Sequence, residues 1–545
     1  MRRFHRFAQI GLAAMLLSGV ASAALAQSAP ASPATDDRDA RINQLEAEVH
    51  ALIGEVQDLK HEQAAQIQTL NTAPAPAPDK PSAVASIANG RPVIASADGA
   101  FSVTLHGVMQ FDAAQYLQHS AGPTNADFRR DGPALGSSTS NTDAGHARDL
   151  KDGDYFRRSR IGIDGTVFSD FDYRLLFDFA GSGTEDAGQV YETWLQYSGL
   201  RPAYFRIGAF PQSIGLEDQG STNGMPFLER PGASDVARNL AAGDTRTGAQ
   251  LFGYGPHWFV SAAVTGRTVG VVNTGTVLAI NSTPTTSAIG TAQTYGDQLG
   301  FVGRLAGTPL HGSDWLIHVG VHGSYVDRPA DASGPGTNGV VPVSAGVVRL
   351  SDTPELRVDG TKFIDTGNID TRHASTAGLE LAGQKQRFFA QGEFERIAIQ
   401  RSDISSTPTF TGGYVEAGVF LTDDARRYNA ATAAFDGPSV NHSLHPSSGS
   451  WGAWELVARY SDINLNYHAG ALGTAPVADA IRGGDQKIWT AGLNWYLNPA
   501  MRLMLDYEHV QIDRLSPSAS AFSTPAGAQI GQTYNAVALR SQVGF

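Results

Sequence analysis

Charged side chains recur on one parity along the alternating segments of this chain. Arg158, Arg160, Arg174, Arg206, Arg304, Arg459, Arg502 and Arg540 share that parity with eleven acids, among them Asp112, Asp178, Glu380, Glu393, Glu395, Glu416 and Asp506. Eight cations against eleven anions make a mixed, water-holding wall that can pass ions, not a single-sign ring that selects them strongly. Bond-making chemistry has little to work with. There is no Cys, hence no thiol nucleophile, thiolate metal site or disulfide scaffold. No G-x-S-x-G marks a nucleophile elbow. His318 and His322 share the inward parity, but four strand residues put their Cα atoms about 13 Å apart. A shared ion would need a donor from a third element, so no metal site and no cofactor are assigned, and the chain is not read as an enzyme. Asp327-Arg328 and Asp423, Asp424, Arg426 and Arg427 read as solvated loop charges.

The elements that must position these charges are strands. In 101–113, Phe101, Val103, Leu105, Met109 and Phe111 alternate with Ser102, Thr104, His106, Gln110 and Asp112, giving one apolar and one mostly polar face. Sixteen such segments are predicted: 101–116, 155–168, 171–181, 189–197, 203–210, 247–254, 257–266, 297–307, 313–327, 374–383, 387–400, 411–421, 451–464, 487–497, 500–513 and 532–545. Their connections mostly alternate between short and long; 422–450 falls in a short position and is long. An even number of strands with short turns at one end and long loops at the other is the signature of an outer-membrane β-barrel. The predicted fold is therefore all-β, a sixteen-stranded antiparallel transmembrane barrel. Closure satisfies every backbone group inside lipid. The tryptophans near strand ends suit an aromatic girdle.

Composition agrees. Charged residues are 17% of the chain, against roughly 25% in ordinary soluble domains. After the N-terminus no run of eighteen apolar residues occurs, which excludes helical membrane spans. A net charge of −13 argues against a nucleic-acid partner.

Ahead of the barrel the chain divides into three parts. Arg2, Arg3 and Arg6, the apolar run Ile10 to Val20 and Ala24-Leu25-Ala26 predict a signal peptide over 1–26. Residues 27–72 are a predicted periplasmic helix. Its Ile42, Leu45, Val49, Leu52, Val56 and Leu59 form an a/d seam, a coiled coil too short to be stable alone. β-branched residues at a with Leu at d lean towards dimers, but the seam alone does not fix the number. Residues 73–98 read as a Pro-rich linker. The predicted barrel occupies 99–545 and ends on Phe545, which resembles the strand signal read by the bacterial barrel-assembly machinery.

Several motifs carry a family resemblance: Asp154-Tyr155-Phe156-Arg157-Arg158, Gly215-Leu216-Glu217-Asp218, Phe227-Leu228-Glu229-Arg230, Trp451-Gly452-Ala453-Trp454-Glu455-Leu456 and Gly492-Leu493-Asn494-Trp495-Tyr496. In this order they resemble the phosphate-selective porin O and P family. The resemblance implies a homotrimer of sixteen-stranded channels, each with its third external loop folded into the pore. It matches Arg157 and Arg158 to the family's paired constriction arginines and Arg230 to its loop arginine. Where phosphate-specific members carry a lysine after Gly-Leu-Glu, this chain has Asp218. The expected constriction is Arg157, Arg158 and Arg230 facing Glu217 and Asp218, with Arg160, Arg174, Arg206, Arg304 and Arg459 lining the pore. Parity alone turns Arg157 outward, and a bulge at the rim would reconcile the two placements.

The function expected is passive diffusion of small hydrophilic solutes through the bacterial outer membrane, with some anion preference and no tight phosphate site. The expected partners are outer-membrane lipid, further copies of the chain, the barrel-assembly machinery and small solutes or anions. A lipid-hydrolysing barrel enzyme and a cell-wall tether are the alternatives.

Overall fold

A computed structural model describes residues 35–72, 83–88, 90–118, 150–180, 189–243, 245–268, 298–329, 346–517 and 526–545. The signal segment 1–26 and the Pro-rich stretch 73–81 lie outside the described residues. Two units are resolved, one up to Lys80 and one from Pro81 to Phe545. The first contains helix α1 (Thr35–Thr72). Its seam is bare: Ile42, Leu45, Val49, Leu52, Val56 and Leu59 are all exposed.

The second unit is a closed antiparallel barrel of sixteen strands. They are β1 (Ser102–Leu117), β2 (Gly153–Val167), β3 (Phe171–Asp178), β4 (Gln189–Tyr197), β5 (Ala203–Phe210), β6 (Arg246–Gly255), β7 (Trp258–Thr268) and β8 (Leu299–His311). The circuit continues through β9 (Trp315–Arg328), β10 (Ile369–Lys385), β11 (Phe388–Arg401), β12 (Thr409–Phe420), β13 (Ala453–Tyr467), β14 (Ile481–Asn498), β15 (Met501–Asp513) and β16 (Thr533–Gly544). Each strand pairs with the next, and β16 returns to β1 from Asn535↔Leu117 to Gly544↔Val108. Phe545 extends this seam through backbone bonds with Gly107.

The period-two pattern becomes two faces. On β15, Met501, Leu505 and Tyr507 are exposed outward, while Arg502, Met504, Asp506 and Glu508 are buried inside. The outward faces carry the apolar side chains lipid requires. Trp258, Trp315, Trp451 and Trp489 are exposed, and Trp454 stacks on Trp495 with ring centroids 4.9 Å apart.

Residues 83–96, read from sequence as part of the linker, instead form a hairpin. Ala83–Ala88 pairs with Arg91–Ser96, and that second strand joins β1 at Val93↔Thr104, Ile94↔Val103 and Ala95↔Ser102. β1 begins before β16 ends, so its first residues have a vacant edge, and the hairpin covers it.

Among the described residues, three connections fold into the lumen. The loop 211–245 between β5 and β6 is almost wholly buried and contains two short helices, α2 (Leu216–Gln219) and α3 (Gly232–Arg238). The described part of 329–368, between β9 and β10, packs Leu350, Leu356, Phe363 and Ile364 inward. The long connection 421–452 enters from the short-turn end as a hairpin of Arg426–Asn429 and Ala434–Pro438. Arg304 holds its tip through Thr432 O at 2.6 Å and Ala433 O at 2.8 Å. Its Gly437 approaches Gly224 so closely that a Cβ on Gly224 would lie 2.3 Å from the Gly437 nitrogen. Arg426 and Asp424, expected in solvent, are therefore buried. Arg426 is bidentate to Glu455 at 2.8 and 2.9 Å and donates to Gly224 O at 2.6 Å.

Candidate channel constriction

The loop 211–245 crosses the barrel between two unlike walls. β2 and β10 are eight strands apart in a ring of sixteen, so they face each other across it.

The first wall comes from β1, β2, β15 and β16 and is the more basic of the two: Arg157, Arg158, Arg502 and Arg540 stand there with Asp112, Asp506 and Glu508. Register across β1 and β2 pairs Gln110 with Arg158 and then Phe111 with Phe156, leaving Arg157 without a partner in the ladder. That bulge turns Arg157 inward beside Arg158. Arg157 meets the loop's Glu229 through Nε–Oε1 at 2.5 Å and Nη2–Oε2 at 3.0 Å. Arg540 is bidentate to Asp112 at 2.6 and 2.7 Å, reaches Glu229 at 3.0 Å and donates to Leu228 O at 2.5 Å. Burial alone would raise the Glu229 carboxyl; Arg157 and Arg540 outweigh it and hold it well below the ordinary carboxylate range. Arg158 and Arg502 make no ion pair among the described residues. Arg158 donates to Gln110 at 2.6 Å, Gln110 donates to Gln542 at 2.7 Å, and Arg502 donates to the same Gln542 oxygen at 3.1 Å. Two buried guanidinium groups are thus linked through neutral amides.

The opposite wall, on β9 to β12, is acidic. Glu380, Glu393, Glu395 and Glu416 are buried there, with the loop's Glu217 against them. Glu393 accepts the backbone N–H groups of Leu216 and Glu217 and the Ser234 hydroxyl, fixing the start of α2 to the wall. Glu217 accepts from Gln391 at 3.1 Å, and its other oxygen has no hydrogen-bond partner among the described residues. Burial pushes the Glu217 carboxyl up, opposed chiefly by Arg230.

The residues predicted for the constriction all lie in or beside this loop, but in two groups. Asp218 sits 3.1 Å from Arg238 and 3.8 Å from Arg230. Arg157 pairs with Glu229, and neither it nor Arg158 makes an ion pair with Glu217 or Asp218 among the described residues. Glu229, quoted in a motif without a role, is the loop's main contact with the basic wall. Arg357, from the 329–368 loop, bonds Asp235 and lies 3.5 Å from Glu229 and 3.4 Å from Asp352. Nothing local in the sequence marked it. Asp352 is buried beside Asp235, and its carboxyl is pushed up to about 8 by burial first and then by Asp235.

The pore-lining arginines are mostly engaged. Arg160 pairs with Asp178 at 2.7 Å and Arg174 with Glu192 at 3.3 Å. Arg206 donates to Gln196 and lies 4.3 Å over the Trp194 ring. Arg304 pairs with Glu380 at 2.7 Å, and Arg459 with the inserted Glu355 and, at 3.8 Å, with Glu416.

The family described as phosphate-selective porin O and P matches residues 134–536 of this chain. Porin O of Pseudomonas aeruginosa is 25% identical over 374 residues, spanning 67% of this chain and 78% of that protein. An anion-selective porin from Comamonas acidovorans aligns over 82% of this chain and all of its own, with 13% identity and a TM-score of 0.42. The outer-membrane channel DcaP of Acinetobacter baumannii aligns over 83% of this chain and 99% of its own, with 9% identity and a TM-score of 0.42.

Proposed function

The chain belongs to the phosphate-selective porin O and P family, and from that premise we propose that it passes small hydrophilic solutes by passive diffusion with a modest anion preference and no tight phosphate site. It is a channel of the bacterial outer membrane. The observation carrying the proposal is the engagement of the loop charges. Asp218 occupies the space beside Arg230 and Arg238, so an entering phosphate dianion meets a carboxylate there. Two unit charges about 4 Å apart interact by about 4 kcal/mol at an effective dielectric near 20, so the sign at position 218 outweighs one hydrogen bond. Arg158 and Arg502, bonded to neutral groups, offer cations without an ion-pair partner among the described residues on one side of the path and favour anions over cations, against Asp506 and Glu508 of the same wall. The carboxylates opposite keep that preference small, because conduction needs binding weak enough to release.

No catalytic step is assigned to the barrel. The lipid-hydrolase alternative predicts lipid turnover by purified protein. The exposed seam of α1 supports association between copies on the periplasmic side, with three subunits as the family implies. The cell-wall tether alternative predicts that deleting 27–80 weakens the envelope while conductance is kept. Phe545, held at the β16–β1 closure, supports recognition by the assembly machinery. Planar-bilayer recording with chloride, phosphate and neutral sugars tests the channel reading. Modest anion preference supports it, and a non-conducting barrel overturns it.

A further inference from the structure

On the acidic wall, we propose that His322, Glu380 and Glu393 bind one divalent transition-metal ion, with Glu395 orienting the histidine. The three donors come from neighbouring strands β9, β10 and β11, and one ligand atom from each lies within 4.8 Å of the others. All are buried, at 7%, 4% and 5% exposure.

Register makes the cluster unusual. Glu380 stands directly opposite Glu393, a like-charge pair that destabilises a ladder unless something lies between. Gly378 stands opposite both His322 and Glu395. A Cβ at Gly378 would fall 2.1 Å from His322 Nε2, so the glycine makes room for the ring. His318, four residues and so two pleat repeats away, also reaches Glu380 at 3.0 Å, while Tyr428 of the inserted hairpin bonds its other nitrogen at 2.8 Å. Glu380 is thus the third element that the two histidines lacked when read on one strand.

Charge counting points to a dication. Glu380, Glu393 and Glu395 bring three negative charges, and the one guanidinium bonded among them is Arg304, on Glu380 at 2.9 and 2.7 Å. Burying charge without a partner is costly. A proton on His322, between Glu380 and Glu395, leaves one negative charge over, whereas one divalent ion in its place makes the cluster neutral. Independently, Glu395 Oε2 is buried with no hydrogen-bond partner among the described residues, on a residue only 3% exposed.

The two ring nitrogens of His322 have separate uses. Nε2 lies 2.7 Å from Glu395 Oε1, the carboxylate–histidine arrangement that fixes a metal-ligating tautomer. Nδ1 lies 2.8 Å from Glu380 Oε1, on the side of the carboxylate pair. Binding displaces any proton on Nδ1 to solvent and puts the ion between Nδ1 and the two carboxylates. Small rotations bring such donors to the roughly 2.0–2.2 Å of zinc bonds. One imidazole with carboxylate oxygens suits first-row ions such as Zn2+.

The test uses untagged full-length protein, stripped with chelator and dialysed against Zn2+. Bound metal is counted by emission spectroscopy. One Zn2+ per subunit is expected, with affinity reduced at least about tenfold in His322→Gln and changed less than about threefold in His318→Gln. Absence of stoichiometric zinc on the wild type, equal binding by His322→Gln, or equal loss in both histidine variants overturns the site. Should His322→Gln fail to fold, thermal unfolding of the wild type and Glu393→Gln decides. Zinc raising the wild-type melting temperature but not that of Glu393→Gln supports the site; equal shifts, or none in the wild type, refute it.

Discussion

The basic and acidic walls are made by the same device, inward-facing charges on alternating strands, yet they hold the 211–245 loop differently. On β1, β2, β15 and β16 the wall mostly donates to the loop, the exception being Asp506, which accepts from the Leu228 N–H at 2.8 Å. Arg540 reaches Leu228 O, Arg502 reaches Met225 O and Arg157 reaches Glu229. On β11 both directions occur: Glu393 accepts from the loop's own N–H groups, and Gln391 donates to Glu217. The loop is strung across the lumen mainly by arginines that hold its carbonyls on one side and by Glu393, which holds its N–H groups, on the other. Parity decides which charges face inward, but the inserted segments decide which remain available to a passing ion.

Breaking the basic wall at its best-compensated point should have the largest effect. Arg540→Ala leaves Asp112 and Glu229 buried with one fewer cation, and loss of one partner from such a pair costs about 3–5 kcal/mol. A lower denaturant midpoint for the refolded barrel checks this, and an unchanged midpoint would contradict it.

Reversing a charge that lacks an acid partner should act on ions more than on folding. Arg158→Glu is expected to move the zero-current potential in a KCl gradient to the cation side. Arg160→Gln, which removes a cation already paired to Asp178, should move it less.

At the loop between the walls, Asp218→Lys should raise anion preference and introduce phosphate block, because Arg230 and Arg238 then gain a cation in place of their shared acid. Unaltered block would mean that Asp218 lies outside the ion path.

A smaller effect follows from Asp352, which links the second inserted loop to α3. Its carboxyl is raised from 3.8 to about 8, so the fold favours the protonated form. This contribution is fully present below pH 3.8 and is lost as pH rises through about 8. The wild-type melting temperature should therefore fall between pH 6 and pH 9, and Asp352→Asn should flatten that slope. The smallest effect on conductance belongs to α1. Leu45→Asp with Leu52→Asp should leave single-channel current unchanged while abolishing association of the helices, read by crosslinking.

The sixteen strands were legible because alternation is local; each segment shows its lipid face in its own residues. What escaped needed neighbours. Arg157 was outward by parity and inward by resemblance, and only the register with β1 reveals the bulge that settles it. The connection 421–452 was visibly too long, but its entry into the lumen depends on Arg304 and Glu455, far away in sequence. The hairpin 83–96 was hidden by adjacent prolines and by the absence of any local sign that β1 has a free edge. His318 and His322 have no common partner on their own strand; Glu380 supplies one only through the β9–β10 register. Of the constriction, the loop and its charged positions were readable, while Glu229 and Arg357 were not, since their partners lie on other loops and strands.

The account stands most directly on a single-channel recording of the wild-type protein in a KCl gradient, with phosphate titrated into the bath. A weak anion preference, with current reduced only at millimolar phosphate, is the predicted result. Micromolar block, unchanged in Asp218→Lys, would contradict it.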